Sequence, residues 1–226
     1  GGGSVELSDI AQAGAGIKFD YVIENFTTVG SPTIIDGILT VDGANYIQLP
    51  FTFPASITSL DIIFKANTGN LYSGQNMMLA RSSGTESFFN VRYNTYKFCS
   101  YTGGWSEGTN TLSSNTDYWF RVRLESGNLV GYTLEDDNYT KDTLPDISSW
   151  RQEFTSSTNW LEGYKCNIGV NYQYPTDHWY GTFDLPECSI ECNGETWTPY
   201  TVVSKPYIAL DIATRKANPP TTSDED

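Results

Sequence analysis

Histidine is almost absent from this chain of 226 residues, where His178 is the single example. One histidine, together with four cysteines that show no paired short spacing, leaves both a zinc site and a catalytic triad unsupported. No apolar run approaches the roughly 18 residues that a membrane-spanning helix needs. Basic residues are scarce as well, since 13 Lys and Arg face 27 Asp and Glu, which gives a net charge of −14. A surface this acidic repels phosphate groups, so we expect no nucleic-acid partner. The lack of a long apolar run predicts no membrane insertion.

The four cysteines do not have the spacing of a disulfide framework. Cys188 and Cys192 fall on the same face of a predicted strand, about 13 Å apart at the usual rise per residue. That distance is too long for a bond between them. We therefore interpret most of the four cysteines as buried free thiols, which favours folding in a reducing compartment.

Alternation of apolar and polar side chains is the strongest structural signal in the chain. In residues 118–125 every second side chain from Tyr118 onward is apolar, while the other face carries Trp119 and three charged residues. A turn at residues 126–128 leads into a second run, which completes a hairpin. Similar runs recur along the chain, and the one helical turn we expect lies at residues 150–154. The fold class is therefore predicted as all-β, an antiparallel two-sheet sandwich of about a dozen strands.

Composition divides the chain into three parts. Residues 1–16 are small and Gly-rich, which predicts a flexible N-terminal connector, and their Gly-Gly-Gly-Ser start is typical of a linker, a processed end or an excerpt. Residues 17–203 contain the strand pattern and are predicted to form one sandwich. Residues 204–226 are predicted as a C-terminal extension that ends in an acidic tail.

Several segments resemble concanavalin A-like (laminin-G-like) jelly-roll domains. Residues 33–50 resemble the opening of such domains, residues 60–68 their next strand, and residues 118–122 their central hairpin. The segments within 179–197 are similar to the closing hairpin of versions found in bacteriophage tail and fibre proteins. The resemblance spans about residues 17–200 and implies a jelly-roll sandwich.

The same resemblance implies a non-enzymatic structural or display domain of a phage virion, in a fibre, tail or decorating position. It also implies partners, namely host-surface glycan, other virion proteins and further copies of the chain in a homo-oligomer. Because one fold hosts many functions, two alternatives stay open. The first is a carbohydrate-binding module of a secreted bacterial glycanase or adhesin, which would be extracellular, and the second is a purely architectural virion domain.

Catalytic residues are not expected. Hydrolases on a similar fold carry alternating Glu and Asp on one strand, because a retaining mechanism needs paired carboxylates. Here Asp61 stands alone on its strand, and Glu187 and Glu191 flank another strand without an alternate acidic partner. We expect no cofactor either, although the Asp-Asp-Asn turn at residues 136–138 leaves calcium open as a weak alternative.

Aromatic rings in polar loops are the remaining functional signal. Sugars offer apolar C–H faces and hydroxyl groups, so their sites combine stacking rings with polar side chains. Tyr101 and Trp105 lie on either side of a Gly-Gly turn, while Tyr174 and Trp179 lie in the polar loop at residues 172–180. Packing in the core or in a loop is the more ordinary explanation for each ring, because large sandwiches use Trp and Tyr heavily. The glycan-binding hypothesis predicts a weak site near these four exposed rings.

Overall fold

The computed structural model describes the backbone of residues 19–205 and the side chains of residues 20–204. Within this part, 18 strands and two short 3₁₀ helices follow one another, so the predicted all-β class is confirmed with more and shorter strands than expected. The strands are β1 (Phe19–Glu24), β2 (Thr27–Val29), β3 (Thr33–Ile35), β4 (Ile38–Thr40), β5 (Tyr46–Thr52), β6 (Leu60–Asn67), β7 (Asn76–Arg81), β8 (Ser87–Val91), β9 (Phe98–Thr102), β10 (Trp105–Ser106), β11 (Asp117–Glu125), β12 (Asn128–Glu135), β13 (Arg151–Ser156), β14 (Lys165–Ile168), β15 (Thr182–Asp184), β16 (Ser189–Cys192), β17 (Glu195–Trp197) and β18 (Tyr200–Lys205). The 3₁₀ helices are Ile147–Ser149 and Leu185–Glu187.

The chain divides into two compact units. Residues 24–200 form one unit, and the two ends of the chain form the other, of which the structure describes β1 and β18 as a two-stranded sheet. The predicted connector at residues 1–16 lies outside the described residues, as does nearly all of the predicted extension at 204–226. No helix in the described part is long and apolar enough to cross a membrane.

The larger unit is a sandwich of two antiparallel sheets. The front sheet has seven strands in the order β10-β9-β8-β7-β14-β5-β2. The back sheet has nine strands, in the order β13-β12-β11-β6-β15-β4-β3, with β16 pairing with β6 and with β17. Phenylalanine rings join the sheets, since Phe98 of the front sheet lies 5.0 Å from Phe120 of the back sheet. Burial of such rings stabilises the fold by roughly 1.5–3 kcal/mol each.

The hairpins follow from their turn residues. Strands β11 and β12 pair from Tyr118 with Glu135 to Glu125 with Asn128, as the alternation predicts. The Asn193-Gly194 turn joins β16 to β17, and both residues have positive φ, 51° and 85°. Asparagine and glycine adopt this conformation at low cost, so the dipeptide fixes the register of the hairpin.

A second apolar cluster lies on the outer face of the back sheet, beneath a chain segment that covers it. Trp119, Val130, Tyr132 and Trp150 are buried together there. The cover is the connection between β12 and β13, residues 136–150, which we name the covering segment. The helical turn expected at residues 150–154 is wrong, because β13 occupies Arg151–Ser156 and the helical turn lies just before it, at Ile147–Ser149. Paired to β12, the residues from Arg151 onward gain ladder hydrogen bonds that a helical turn would lose.

All four cysteines have free thiols. Cys99, Cys166 and Cys188 are buried, as predicted, while Cys192 is half-buried. Burial raises the pKa of the Cys99 thiol to about 11 and raises the pKa of Cys166 and Cys188 as well. Thiols with a raised pKa are poor nucleophiles near neutral pH, so these side chains act as small apolar groups.

Candidate functional site

Tyr101 and Trp105, two of the predicted site residues, form one ring cluster at the edge of the front sheet. They face each other across the β9–β10 hairpin, with ring centroids 4.9 Å apart. Phe88 of β8 stacks on Tyr101 at 5.1 Å with its ring plane tilted by 17°. Both rings of the pair are half-buried, whereas Phe88 is buried beneath them. We name Tyr101 and Trp105 the edge pair.

The Gly-Gly turn keeps the surroundings of the edge pair open. Gly103 has a φ of 72°, a left-handed conformation that only glycine adopts freely. Apart from the glycine itself and its two chain neighbours, no atom of a described residue lies within 4 Å of the position that a Cβ atom would take at Gly103 or Gly104. A ligand can therefore approach the rings from this side without displacing the chain.

A single row of cross-strand neighbours runs from the edge pair across six strands of the front sheet, on its outer face. Directly opposed residues on adjacent strands lie about 5 Å apart and point to the same side. The row therefore combines aromatic rings at one end with amide groups at the other. Its members are Trp105, Tyr101, Phe88, Ala80, Asn167 and Gln48.

The middle of this row is buried although it lies on an outer face. Asn167 is 0% exposed, and its Oδ1 accepts a hydrogen bond from Gln48 at 2.9 Å. The loops at 82–86 and 171–177 meet here, because the Tyr172 hydroxyl donates to the carbonyl of Gly84. These loops follow the strands that carry Ala80 and Asn167.

Two buried amide atoms on this face make no hydrogen bond with any described residue, namely Oδ1 of Asn90 and Nδ2 of Asn167. An unpaired buried polar atom costs roughly 1–3 kcal/mol, so each position favours an internal water molecule as partner. Both residues are 0% exposed, so a ligand on this face would meet the rings and not these two amides.

Charged side chains surround the edge pair. The Arg92 guanidinium lies 4.1 Å from the centre of the Trp105 ring and forms an ion pair with Glu107. One face of Trp105 is therefore already covered, and a ligand must use the part left exposed. In the loops at 82–86 and 171–177, burial raises the pKa of Glu86 and of Asp177, and the neighbouring Asp177 charge raises the pKa of Glu86 further.

The other two predicted residues lie elsewhere. Tyr174 is exposed, at 53%, in the loop at 171–177, and no ring contact among the described residues joins it to the edge pair. The prediction that Trp179 offers an exposed ring is wrong, because Trp179 is 0% exposed. Its indole Nε1 donates to the carbonyl of Asn67 at 2.8 Å, and its ring packs 5.0 Å from Phe183 in the core. Trp179 therefore stabilises the sandwich and cannot stack on a sugar.

Sequence reasoning missed Phe88, Arg92 and the amide groups of the row. Phe88 and Phe89 are adjacent on β8, so one of the two rings must face outward. That signal was present in the sequence. The alignment of Asn167 with Gln48 and with the edge pair depends on strand order, which the sequence pattern does not reveal.

Several groups with catalytic or metal-binding chemistry have structural roles. The buried Glu153 accepts hydrogen bonds from Thr109, Asn110 and Thr133, which satisfies its carboxylate. Asp136 forms an ion pair with Lys65 at 3.2 Å and accepts a hydrogen bond from the Trp119 indole. In the turn considered for calcium, this carboxylate therefore already has protein partners. Among the described residues no group of three or more His, Cys, Asp and Glu side chains is placed to hold a metal ion.

A cleft of about 640 Å³ lies between β5 and the β16–β17 hairpin, away from the edge pair. Its walls include Phe51 and Trp197, whose rings pack 5.8 Å apart. The polar groups here are already engaged, since Trp197 donates to the carbonyl of Asn25 and the Asn193 amide donates to the carbonyl of Ser56. The cleft offers space but few free polar partners, so the front sheet is the better candidate.

No protein-family model matches the sequence, and no curated protein sequence matches it. Domain 4 of the extracellular GH43 arabinanase AbnA from Geobacillus stearothermophilus, solved with arabinotriose, is similar to this chain with 14% identity. The match covers 86% of this chain and 87% of that domain, with a TM-score of 0.48. Tailspike protein 2 of the Escherichia coli O157:H7 bacteriophage CAB120 matches with 12% identity over 75% of this chain and 25% of the tailspike, with a TM-score of 0.49.

The carbohydrate-binding module CBM66 from Bacillus subtilis matches with 15% identity over 74% of this chain and 96% of the module, with a TM-score of 0.41. Similarity this distant does not decide function. The functional argument therefore rests on the geometry of the front sheet.

Proposed function

We propose that this chain is a glycan-binding display domain that holds its ligand without hydrolysing it. The edge pair supports the proposal most directly, because two half-exposed rings stand side by side at the edge of the sheet, next to an open Gly-Gly turn. Sugar rings present C–H faces to aromatic rings and hydroxyl groups to amides. The satisfied carboxylate of Glu153 and the ion pair of Glu107 with Arg92 support binding rather than acid–base chemistry.

The setting we propose is a phage virion, where the domain would contact host-surface glycan. A ring stacked on Trp105 contributes on the order of 1–2 kcal/mol, so one site binds weakly. Useful attachment then requires several copies, as in a homo-oligomeric fibre with other virion proteins. A carbohydrate-binding module of a secreted glycanase or adhesin would use the same edge pair, and mass spectrometry of purified virions separates the two settings.

A glycan array probed with the full chain tests the binding. Trp105→Ala should weaken binding about five- to thirtyfold, since one stacking contact is lost. Tyr72→Ala is the matched control, because Tyr72 is also a large exposed aromatic residue but lies outside the row. Unchanged binding by a folded Trp105→Ala variant would refute the site and favour an architectural domain.

The non-hydrolytic part of the proposal is tested separately. Incubation with the polysaccharides that the array identifies should release no reducing ends beyond those of a heat-inactivated sample. Reducing ends that increase with time and with the concentration of the chain would show catalysis, whatever the array result.

A further inference from the structure

A pocket of about 410 Å³ opens on the outer face of the back sheet. Strands β6 and β11 supply one side of it through Ile63, Arg121 and Arg123. The covering segment supplies the other side. Its lining residues there are Lys141, Leu144, Pro145, Asp146 and Ile147. We name this the cation pocket.

Three of the 13 basic residues of an otherwise acidic chain line the cation pocket. Asp61 holds the Arg121 guanidinium through two hydrogen bonds, from Nε at 2.8 Å and from Nη2 at 2.6 Å. The same guanidinium lies 5.3 Å from the centre of the Trp150 ring, and its side chain is only 16% exposed. Arg121 is therefore fixed, and its Nη1 makes no hydrogen bond with any residue in the described part of the chain.

The other two cations are freer to meet a ligand. Arg123 reaches Glu125 only at 3.7 Å, beyond hydrogen-bond distance, and Glu125 already accepts the Tyr132 hydroxyl through its other oxygen. The Lys141 ammonium forms no ion pair with a residue that the structure describes, while its backbone N–H donates to Glu187. Asp146, the one acid in the lining, accepts from the backbone N–H of Ser148 and is exposed.

The remaining lining is apolar, and it narrows the class of ligand. Ile63, Leu144, Pro145 and Ile147 present C–H groups beside the cations. A small inorganic anion would make no contact with this apolar wall, and a neutral sugar would bring no charge to Arg123 and Lys141. A ring that carries a carboxylate satisfies both. Arginine is well suited to this task because its planar fork matches a carboxylate.

We infer that the cation pocket binds the carboxylate of an acidic sugar residue, with Arg123 and Lys141 as the charged partners and the apolar wall against the sugar ring. This site lies on the opposite sheet from the edge pair and does not depend on the proposed function. The net charge of −14 opposes any anion at long range, but salt screens that repulsion beyond about 8 Å at physiological ionic strength. Contacts inside the pocket are screened less.

Calorimetric titration of the full chain with galacturonate, galactose and sodium phosphate tests the inference. Galacturonate should bind, galactose should bind at least about tenfold more weakly, and phosphate should not compete. Arg123→Gln and Lys141→Gln should each weaken galacturonate binding about tenfold, since each removes one charge-assisted contact. Lys97→Gln changes the net charge equally but lies beside β9 in the front sheet, so it should have no effect. Trp105→Ala should also leave this binding unchanged.

Three outcomes would overturn the inference. The first is that galacturonate shows no binding at a concentration of about 20 mM, which would detect even a very weak single site. The second is an equal loss of galacturonate affinity in Lys97→Gln and Lys141→Gln, which would mean that the net charge of the chain, and not the pocket, determines the affinity. Phosphate that displaces galacturonate with similar affinity assigns the pocket to small anions. Loss of array binding in Trp105→Ala with intact galacturonate binding separates this site from the edge pair.

Discussion

The two outer faces of the sandwich carry similar aromatic clusters and differ in what covers them. On the back sheet Trp119, Tyr132 and Trp150 are buried, because the covering segment lies across them. On the front sheet the edge pair stays half-exposed beside an open Gly-Gly turn. Aromatic content is therefore no guide to function here. Whether a chain segment covers the aromatic rings decides whether they can contact a ligand.

This difference has an energetic consequence. Apolar surface left in water forgoes about 25 cal/mol for each Å² that burial would remove. The back face gains this stabilisation within the chain itself, whereas the half-exposed edge pair on the front face can gain more of it only from a bound partner. Phe88 packs beneath the half-exposed edge pair and holds its rings in place. The rings are therefore preorganised and still have apolar surface in contact with water, and both conditions favour ligand binding.

The largest effect is expected inside the sandwich, where no ligand can reach. Trp179→Ala should lower the free energy of unfolding by about 3–5 kcal/mol, because it removes a fully buried ring and leaves a cavity. Trp105→Ala, the same substitution at the half-exposed edge, should cost less than about 1 kcal/mol. Urea denaturation followed by tryptophan fluorescence measures both. Equal losses would mean that Trp105 is a core residue and that the front face is not open.

The sequence could not separate these two tryptophans. Each follows a polar, ring-containing loop, and local composition around Trp179 even favours exposure. What buries Trp179 is its return to the sheet through the hydrogen bond from its backbone N–H to the carbonyl of Gly169, a contact set by strand order. Strand positions, turn dipeptides and fold class were predictable because they depend on neighbours in sequence. The alignment of the front row depends on six strands and was not.

A second, smaller effect should distinguish the cover of the back sheet from the open front edge. Trp150→Ala should lower the free energy of unfolding by about 2–3 kcal/mol, since the ring is nearly buried but lies in a shallow cluster. Hydrogen exchange should also quicken across the covering segment, because Trp150 packs it against the sheet. Trp105→Ala is the control of identical chemistry on the other face. A loss no greater than that of Trp105→Ala would contradict the comparison of the two faces.

Trp119 shows why the alternating pattern described the back sheet only in part. The pattern placed Trp119 on the polar face of β11, and the structure agrees, since Arg121 and Arg123 share that face. The pattern also implied exposure, which is wrong because Trp119 is 0% exposed. A covering segment supplied from elsewhere in the chain buried a face that period-two alternation assigns to solvent.

The smallest effect concerns the front row, where the two loops meet through polar groups and not through an apolar cluster. Burial is the main cause of the raised pKa of Glu86, and the Asp177 charge adds to it, while the Asn171 side chain opposes both. Between the ordinary glutamate pKa and the raised one, the folded state binds more protons than the unfolded state. Stability attributable to Glu86 is therefore present at acidic pH and is lost as pH rises through this window.

Glu86→Gln removes that titration while preserving the shape of the side chain. The variant should be slightly more stable than the native chain at neutral pH. Its melting temperature should also depend less on pH between about pH 4 and 7, the range in which a carboxyl group with a raised pKa titrates. Glu107→Gln is the control, because it removes the ion pair with Arg92 on the same sheet and should not raise stability. A Glu86→Gln variant that is less stable at neutral pH than the native chain would mean that the Glu86 charge stabilises the meeting of the loops. The polar cover of the front row would then depend on that charge, and protonation would loosen it.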